Sequence, residues 1–139
     1  MSRIRSRDTK PEEYIRKELF CRGYRYRKNS PQIQGHPDIW MKKHNTAVFV
    51  NGCFWHRHEG CRYTYMPKSR EEYWVSKFER NKARDRKIRE QLLNEGIKIL
   101  IVWECSIKKM MKSSEQKEKM MDQIQEFIQE EKSSLYLEI

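Results

Sequence analysis

Ile97-Lys98-Ile99-Leu100-Ile101-Val102-Trp103 contains the longest unbroken apolar run in the chain, from Ile99 to Trp103. It is too short to cross a membrane and rich in β-branched residues, so it reads as a buried central strand. Such a strand needs paired neighbours and a layer on each face. Upstream, Pro37 to Met41 and Thr46 to Val50 read as two strands joined by the polar turn Lys42 to Asn45, and Tyr24 to Lys28 as a short strand with aromatics on one face. Three helices supply the layers. Thr9-x-x-Glu12 is a capping box with Pro11 in the first turn, opening a helix through about Cys21 that Gly23 ends. Tyr14, Ile15, Leu19 and Phe20 give it an apolar side, with Cys21 beside it as a small core residue. Ser69-x-x-Glu72 is a second box, for a long helix from about Arg70 to Glu95 that stops at Gly96. Ser113-x-x-Gln116 opens the last helix, where Met120, Ile124, Phe127 and Ile128 recur at helical spacing and read as core. The order predicts an α/β fold, a mixed sheet flanked by helices.

The chain has 139 residues and shows no internal repeat or Gly/Ser linker, so 1–139 is expected to form one domain. Its net charge is +10, unevenly placed: residues 1–30 hold ten Lys/Arg against four Asp/Glu, and residues 111–139 hold four against seven. A basic body with a mildly acidic end points to a polyanionic partner, most simply nucleic acid, although charge alone fits any soluble basic protein. No stretch reads as a membrane span or a secretory signal, so a cytoplasmic place is expected. In a reducing compartment, four cysteines suit metal binding or burial better than a disulfide framework.

Asn51 to Cys61 reads NGCFWHRHEGC, two cysteines and two histidines in eleven residues. Zinc takes thiolate and imidazole ligands in a tetrahedron. Cys53, His58 and Cys61 give three, and Cys105, just past the central strand, stands where it could close the site. Such a closed site pins a loop and performs no hydrolysis. Thiols without metal are the plainer alternative.

With His58 on zinc, His56 is left free. Asp38 begins a strand after Pro37, across the proposed hairpin. Phosphodiester hydrolysis needs a carboxylate to hold Mg²⁺ and a base for water, and these two residues could supply both. Singly, Asp38 also reads as a turn residue and His56 as an ordinary polar one. The long helix carries Lys77, Arg80, Lys82, Arg84, Arg86, Lys87 and Arg89, largely a solvated basic face from which one or two side chains reach phosphates. Asn81 and Asp85 interrupt its apolar stripe of Trp74, Phe78, Ile88 and Leu92, so both should tie the helix to a neighbouring loop or Arg. Phe54 and Trp55 are adjacent and cannot both face a core easily, so at least one is expected to be exposed.

The series GHPDIW, AVFVNGCFWHRHEGC, PKSREEYW, NKARD and IKILIVWEC resembles the very short patch repair (Vsr) endonuclease family, from about Arg7 to Cys105. The resemblance implies a restriction-endonuclease-like core with a structural zinc site, and Mg²⁺-dependent nicking of one DNA strand beside the thymine of a T:G mismatch. It implies that Asp38 and the backbone carbonyl of Val50 hold Mg²⁺, that His56 acts on the attacking water, and that Glu12 contacts the ion's water shell. Cys53, His58, Cys61 and Cys105 match the zinc ligands. Phe54 and Trp55, with Trp74 alongside, resemble aromatic wedges that enter the DNA stack, and Lys77 joins them as a DNA contact. The implied partner is double-stranded DNA with a T:G mismatch, bound by a nucleoid-associated monomer in a bacterial cytoplasm. Mismatch-repair proteins are candidate further partners.

The chain departs from the family at several places. Asn51 stands where the best-known members carry a second histidine; it can hydrogen-bond phosphate or water but cannot shuttle a proton. His36 stands where an arginine often precedes the Pro-Asp pair, and the loop from His58 to Cys61 is one residue longer. The N-terminal arm is short, with Met1 aligned to a further wedge residue. Two other readings stay open: a zinc-stapled DNA-binding protein without nuclease activity, and a related nicking endonuclease of different specificity.

Overall fold

β4, Lys98–Trp103, is buried at all six positions, as its apolar run requires. Residues 9–130 and 135–139 are described by the computed structural model, so the Met1 expectation lies outside the described residues. β4 sits inside a five-stranded sheet ordered β1-β2-β3-β4-β5. β1 (Arg27–Lys28), β2 (Ile39–Met41) and β3 (Thr46–Asn51) pair antiparallel in turn, whereas β3 with β4 and β4 with β5 (Tyr136–Glu138) pair parallel. The mixed sheet is borne out.

Alternation along β4 divides the core. Leu100 and Val102 face one side with Ile39, Met41 and Val48, and are covered there by three helices. Those are α1 (Lys10–Cys21), α3 (Glu104–Lys112) and α4 (Ser114–Gln129). Ile99, Ile101 and Trp103 face the other side with Ala47, under Leu92 and Ile88 of α2 (Glu71–Asn94). Lys98, the one charged residue in β4, is buried because its ammonium donates to the carbonyls of Phe127, Ile128 and Glu130, capping the C-terminus of α4. Among the described residues, no helix is long and apolar enough to cross a membrane.

The first capping box forms reciprocally, Glu12 N–H donating to Thr9 Oγ1 at 3.4 Å and Thr9 N–H to Glu12 Oε2 at 3.3 Å. Ser113 caps α4 through its side chain. The second box does not form. The chain enters α2 through Arg70 in a left-handed conformation, φ 56°, with no side-chain cap, so Ser69 stands one residue too early. The inward stripe of α1 is narrower than expected: Ile15 and Leu19 are buried with Glu12 and Arg16, while Phe20 and Cys21 are exposed. In α4 it is Met121 that is fully buried and Met120 that is partly so. α3 and β5 were not expected. Neither has a side-chain cap or a long apolar run to announce it.

Candidate functional site

The parallel pairing of β3 with β4 ends level, at Asn51 opposite Trp103. Cys53 and Cys105 each lie two residues beyond that pair, so the register itself brings them together. Cys105 N–H points at Cys53 Sγ, 3.4 Å away. A compact turn then returns the chain: His58 N–H donates to Cys53 O at 3.0 Å and Cys61 N–H to His58 O at 3.3 Å. Thr64 Oγ1 donates to His58 O at 2.7 Å and lies 3.2 Å from Cys53 O, which fixes both ends of the turn. Within this loop Gly60 takes a φ of +73°, which suits glycine.

The ligand atoms of Cys53, His58, Cys61 and Cys105 all lie within 4.8 Å of one another. His58 Nδ1 is 3.6 Å from Cys53 Sγ and 3.5 Å from Cys105 Sγ. In a zinc tetrahedron with Zn–S about 2.3 Å and Zn–N about 2.0–2.1 Å, neighbouring S and N atoms stand about 3.5–3.6 Å apart. The group could hold a zinc ion. Burial pushes the Cys53 thiol up to about 12, so a thiolate there needs a cation beside it. The His58 ring stacks on Trp103 at 4.1 Å and 5°, and Trp103 Nε1–H donates to Glu138 Oε1 at 2.8 Å. Burial also lowers the His58 pKa, which favours the neutral imidazole a metal binds.

Across the sheet edge lies the second corner. β2 pairs only as far as Ile39 opposite Val48, so the next stretch of β3 lacks a ladder partner on that side. Asp38 fills the gap: its Oδ2 accepts the Val50 N–H at 2.7 Å. Burial pushes the Asp38 carboxyl up to about 7, and the neighbouring Glu12 carboxylate adds to the rise. Glu12 is itself buried, 3.6 Å from Arg16, whose guanidinium also donates to Asp38 O at 3.2 Å.

Glu12, Asp38, Val50, Asn51, His56 and Asp85 line one cleft, with Lys82, Arg84, Arg86 and Lys87 of α2 along its wall. His56 Nδ1 sits 2.7 Å from Asp85 Oδ2, and Asn81 Nδ2 donates to Trp55 O at 3.3 Å. The two polar interruptions of the α2 stripe therefore tie the helix to the turn after β3, as their positions required. That Asp85 orients His56 in particular was not read from the sequence, although a carboxylate at an inward position was the signal.

Phe54 and Trp55 do not stand free. Both are half-buried, with Phe54 at the centre of a cluster whose ring centroids lie 5.1 Å from Trp55, 5.9 Å from Trp74 and 5.2 Å from Phe78. α2 is close enough to shelter both neighbours. Lys77 Nζ lies 5.6 Å from the Trp55 ring. Tyr65 and Arg57, which complete the cluster, carry no signal in the local sequence pattern.

A mixed sheet flanked by helices, with acidic residues at its open edge, is a restriction-endonuclease-like fold. The family described as DNA mismatch endonuclease Vsr matches residues 1–62, which hold Glu12, Asp38 and the turn after β3. A type II nicking enzyme of Neisseria meningitidis serogroup A is 44% identical over 108 residues, 78% of this chain and 76% of that protein. Another, from Xanthomonas oryzae pv. oryzae, is 42% identical over 107 residues, 77% and 78% of the two chains. The Escherichia coli K12 DNA mismatch endonuclease Vsr is 32% identical over 128 residues, 92% of this chain and 80% of that one. The chain belongs to the Vsr family of DNA endonucleases.

Proposed function

We propose that residues 1–139 act as one domain that nicks one strand of duplex DNA on the 5′ side of the thymine in a T:G mismatch. One observation carries this reading: the Asp38–Val50 edge and the His56–Asp85 pair line the same basic-walled cleft.

Asp38 and the Val50 carbonyl would hold Mg²⁺. The donor set fits, because both are hard oxygen ligands and the Asp38 carboxylate, whose charge burial disfavours, shares its corner with Glu12. In a strand, a residue's N–H and C=O point to the same side, so the Val50 carbonyl faces the edge that its N–H shares with Asp38. Glu12, beside Asp38, would hydrogen-bond the ion's water shell. When bound, Mg²⁺ neutralises charge on the scissile phosphate and acidifies water.

His56 presents Nδ1–H to Asp85, which leaves Nε2 as the acceptor for a proton of the attacking water. The Asn51 amide donates to a phosphate oxygen. Lys77 and the exposed cations of α2 hold the backbone on either side, while Trp55, Phe54 and Trp74 insert beside the wobble pair, where unstacking costs least. Cys53, His58, Cys61 and Cys105 would hold Zn²⁺, which would keep the turn bearing Trp55 and His56 in place. The setting is a bacterial cytoplasm, the protein a nucleoid-associated monomer, with mismatch-repair proteins as candidate partners.

Similarity to enzymes named as nicking enzymes favours a second reading, a nick at a different mismatch or sequence. Gel assays of matched, T:G and other mismatched duplexes, with Mg²⁺ and with chelator, separate the two. A single-strand nick confined to T:G and lost with chelator is expected. Equal cutting of matched DNA across salt concentrations leaves only a general nickase.

A further inference from the structure

We infer that Tyr65 is a DNA-stacking residue, an outer ring of the aromatic cluster that packs on a nucleotide at the rim of the mismatch. This rests on the DNA-nicking reading above and extends it to a side chain outside the expected wedge.

Leaving the metal-ligand turn, the chain passes back over the aromatic cluster and sets the Tyr65 ring on Phe54, centroids 5.0 Å apart and planes at 42°. The other contacts of Phe54 are made with Trp55, Trp74 and Phe78. Phe54 is thus half-buried among rings, and Tyr65 covers a further side of it. The Tyr65 side chain has no such cover: the residue is 62% exposed, next to Met66 at 38%, with Tyr73 at 43% nearby on α2. The ring is supported by Phe54, and more than half of the residue stays open to solvent.

The backbone beneath it is braced. Arg57, in a left-handed conformation with φ 52°, lays its guanidinium on the Phe78 ring at 3.9 Å. From there it donates to Tyr65 O at 3.0 Å and Phe54 O at 3.3 Å. A flat exposed ring on a braced backbone loses little conformational entropy on stacking. Cations alternate with the rings of this surface: Lys77 over Trp55, and Arg70 over Tyr73 at 4.6 Å. Rings interleaved with cations suit nucleotides, whose bases stack and whose phosphates pair with charge. The surface is continuous with Trp55 and Trp74, the residues assigned to enter the duplex, so DNA bound there lies against Tyr65.

The test is equilibrium binding of a labelled T:G duplex to wild type and to Tyr65→Ala, Tyr65→Phe and Tyr65→Leu, over a salt series without Mg²⁺. Alanine should weaken binding about 5- to 150-fold, the usual range for loss of one base–aromatic stack. Phenylalanine should stay within about twofold of wild type and leucine should fall near alanine, because the π-face is what stacks. The slope of log affinity against log salt should not change, since no phosphate contact is removed. Melting temperature and metal content confirm that each variant is folded. Should alanine misfold, the phenylalanine–leucine difference decides alone. Wild-type affinity in Tyr65→Ala, or full affinity in Tyr65→Leu, overturns the inference. Failure of wild type to prefer T:G over matched DNA instead overturns the mismatch reading, and the two outcomes are separately visible.

Discussion

Two corners hang from the end of β3, and they are built on opposite terms. At the Cys53 corner four candidate metal ligands already stand within 4.8 Å of one another, backed by Thr64, Trp103 and the paired ends of two strands. At the Asp38 corner two carboxylates share a half-closed space, and burial raises the Asp38 carboxyl to about 7, so both of its protonation states are populated near neutral pH. The first arrangement suits an ion that is never exchanged. The second suits one that arrives with substrate and leaves room for a phosphate. Closure gives stability; openness gives chemistry and is destabilising when empty of charge balance.

The largest effect is expected at the closed corner. Cys105→Ala should lose the metal, and with it much of the folding free energy that structural zinc contributes, about 10–16 kcal/mol in small domains at pH 7. Metal analysis and thermal melting would show this, and folded wild-type protein free of zinc would sink the assignment. A cysteine disulfide found in this group would do the same.

Next comes the open corner. Asp38→Ala should abolish nicking while preserving mismatch binding, and His56→Ala should slow cleavage by about 10²–10⁴-fold, as for loss of a general base. Single-turnover nicking beside duplex binding reads both. Normal cutting by Asp38→Ala would move the active site elsewhere.

The smallest effect sharpens the contrast by its sign. Asp38 has a raised carboxyl pKa in the fold, about 7, so its ionised form is disfavoured there. Stability of the Mg²⁺-free protein should therefore fall as pH rises from about 4 to about 7, relative to Asp38→Asn. Above pH 7 the substitution should gain on the order of 1–3 kcal/mol. Added Mg²⁺ should stabilise wild type and not the variant. Parallel pH–stability curves for the two proteins would mean that Asp38 is not strained.

Much of both corners was legible because their signals are local. Cys53, His58 and Cys61 lie in one turn, and the six buried positions of β4 form one run. Glu12 announced itself through Thr9, three residues away, and its capping box forms as read. Local pattern misled where the backbone departed from the expected path. Ser69-x-x-Glu72 has the letters of a cap, but Arg70 takes a left-handed turn before α2 and the hydroxyl never reaches the helix. Phe20 and Cys21 shared an apparent apolar side, yet the buried stripe of α1 runs through Glu12, Ile15, Arg16 and Leu19.

While the roles at the acidic corner came from the family resemblance, the sequence by itself determined the mixed α/β sheet and the close spacing of Cys53, His58 and Cys61. It did so because hydrophobic period, capping and ligand spacing are written within a few residues. Only the tertiary structure decided what meets across the sheet. The level ends of β3 and β4 carry Cys105 to Cys53, the early end of β2 leaves Val50 for Asp38, and the lie of α2 sets Asp85 on His56. The same packing half-buries Phe54 and leaves Tyr65 open. Each of these depends on strand register and helix placement, free-energy balances summed over the whole core that no short segment records.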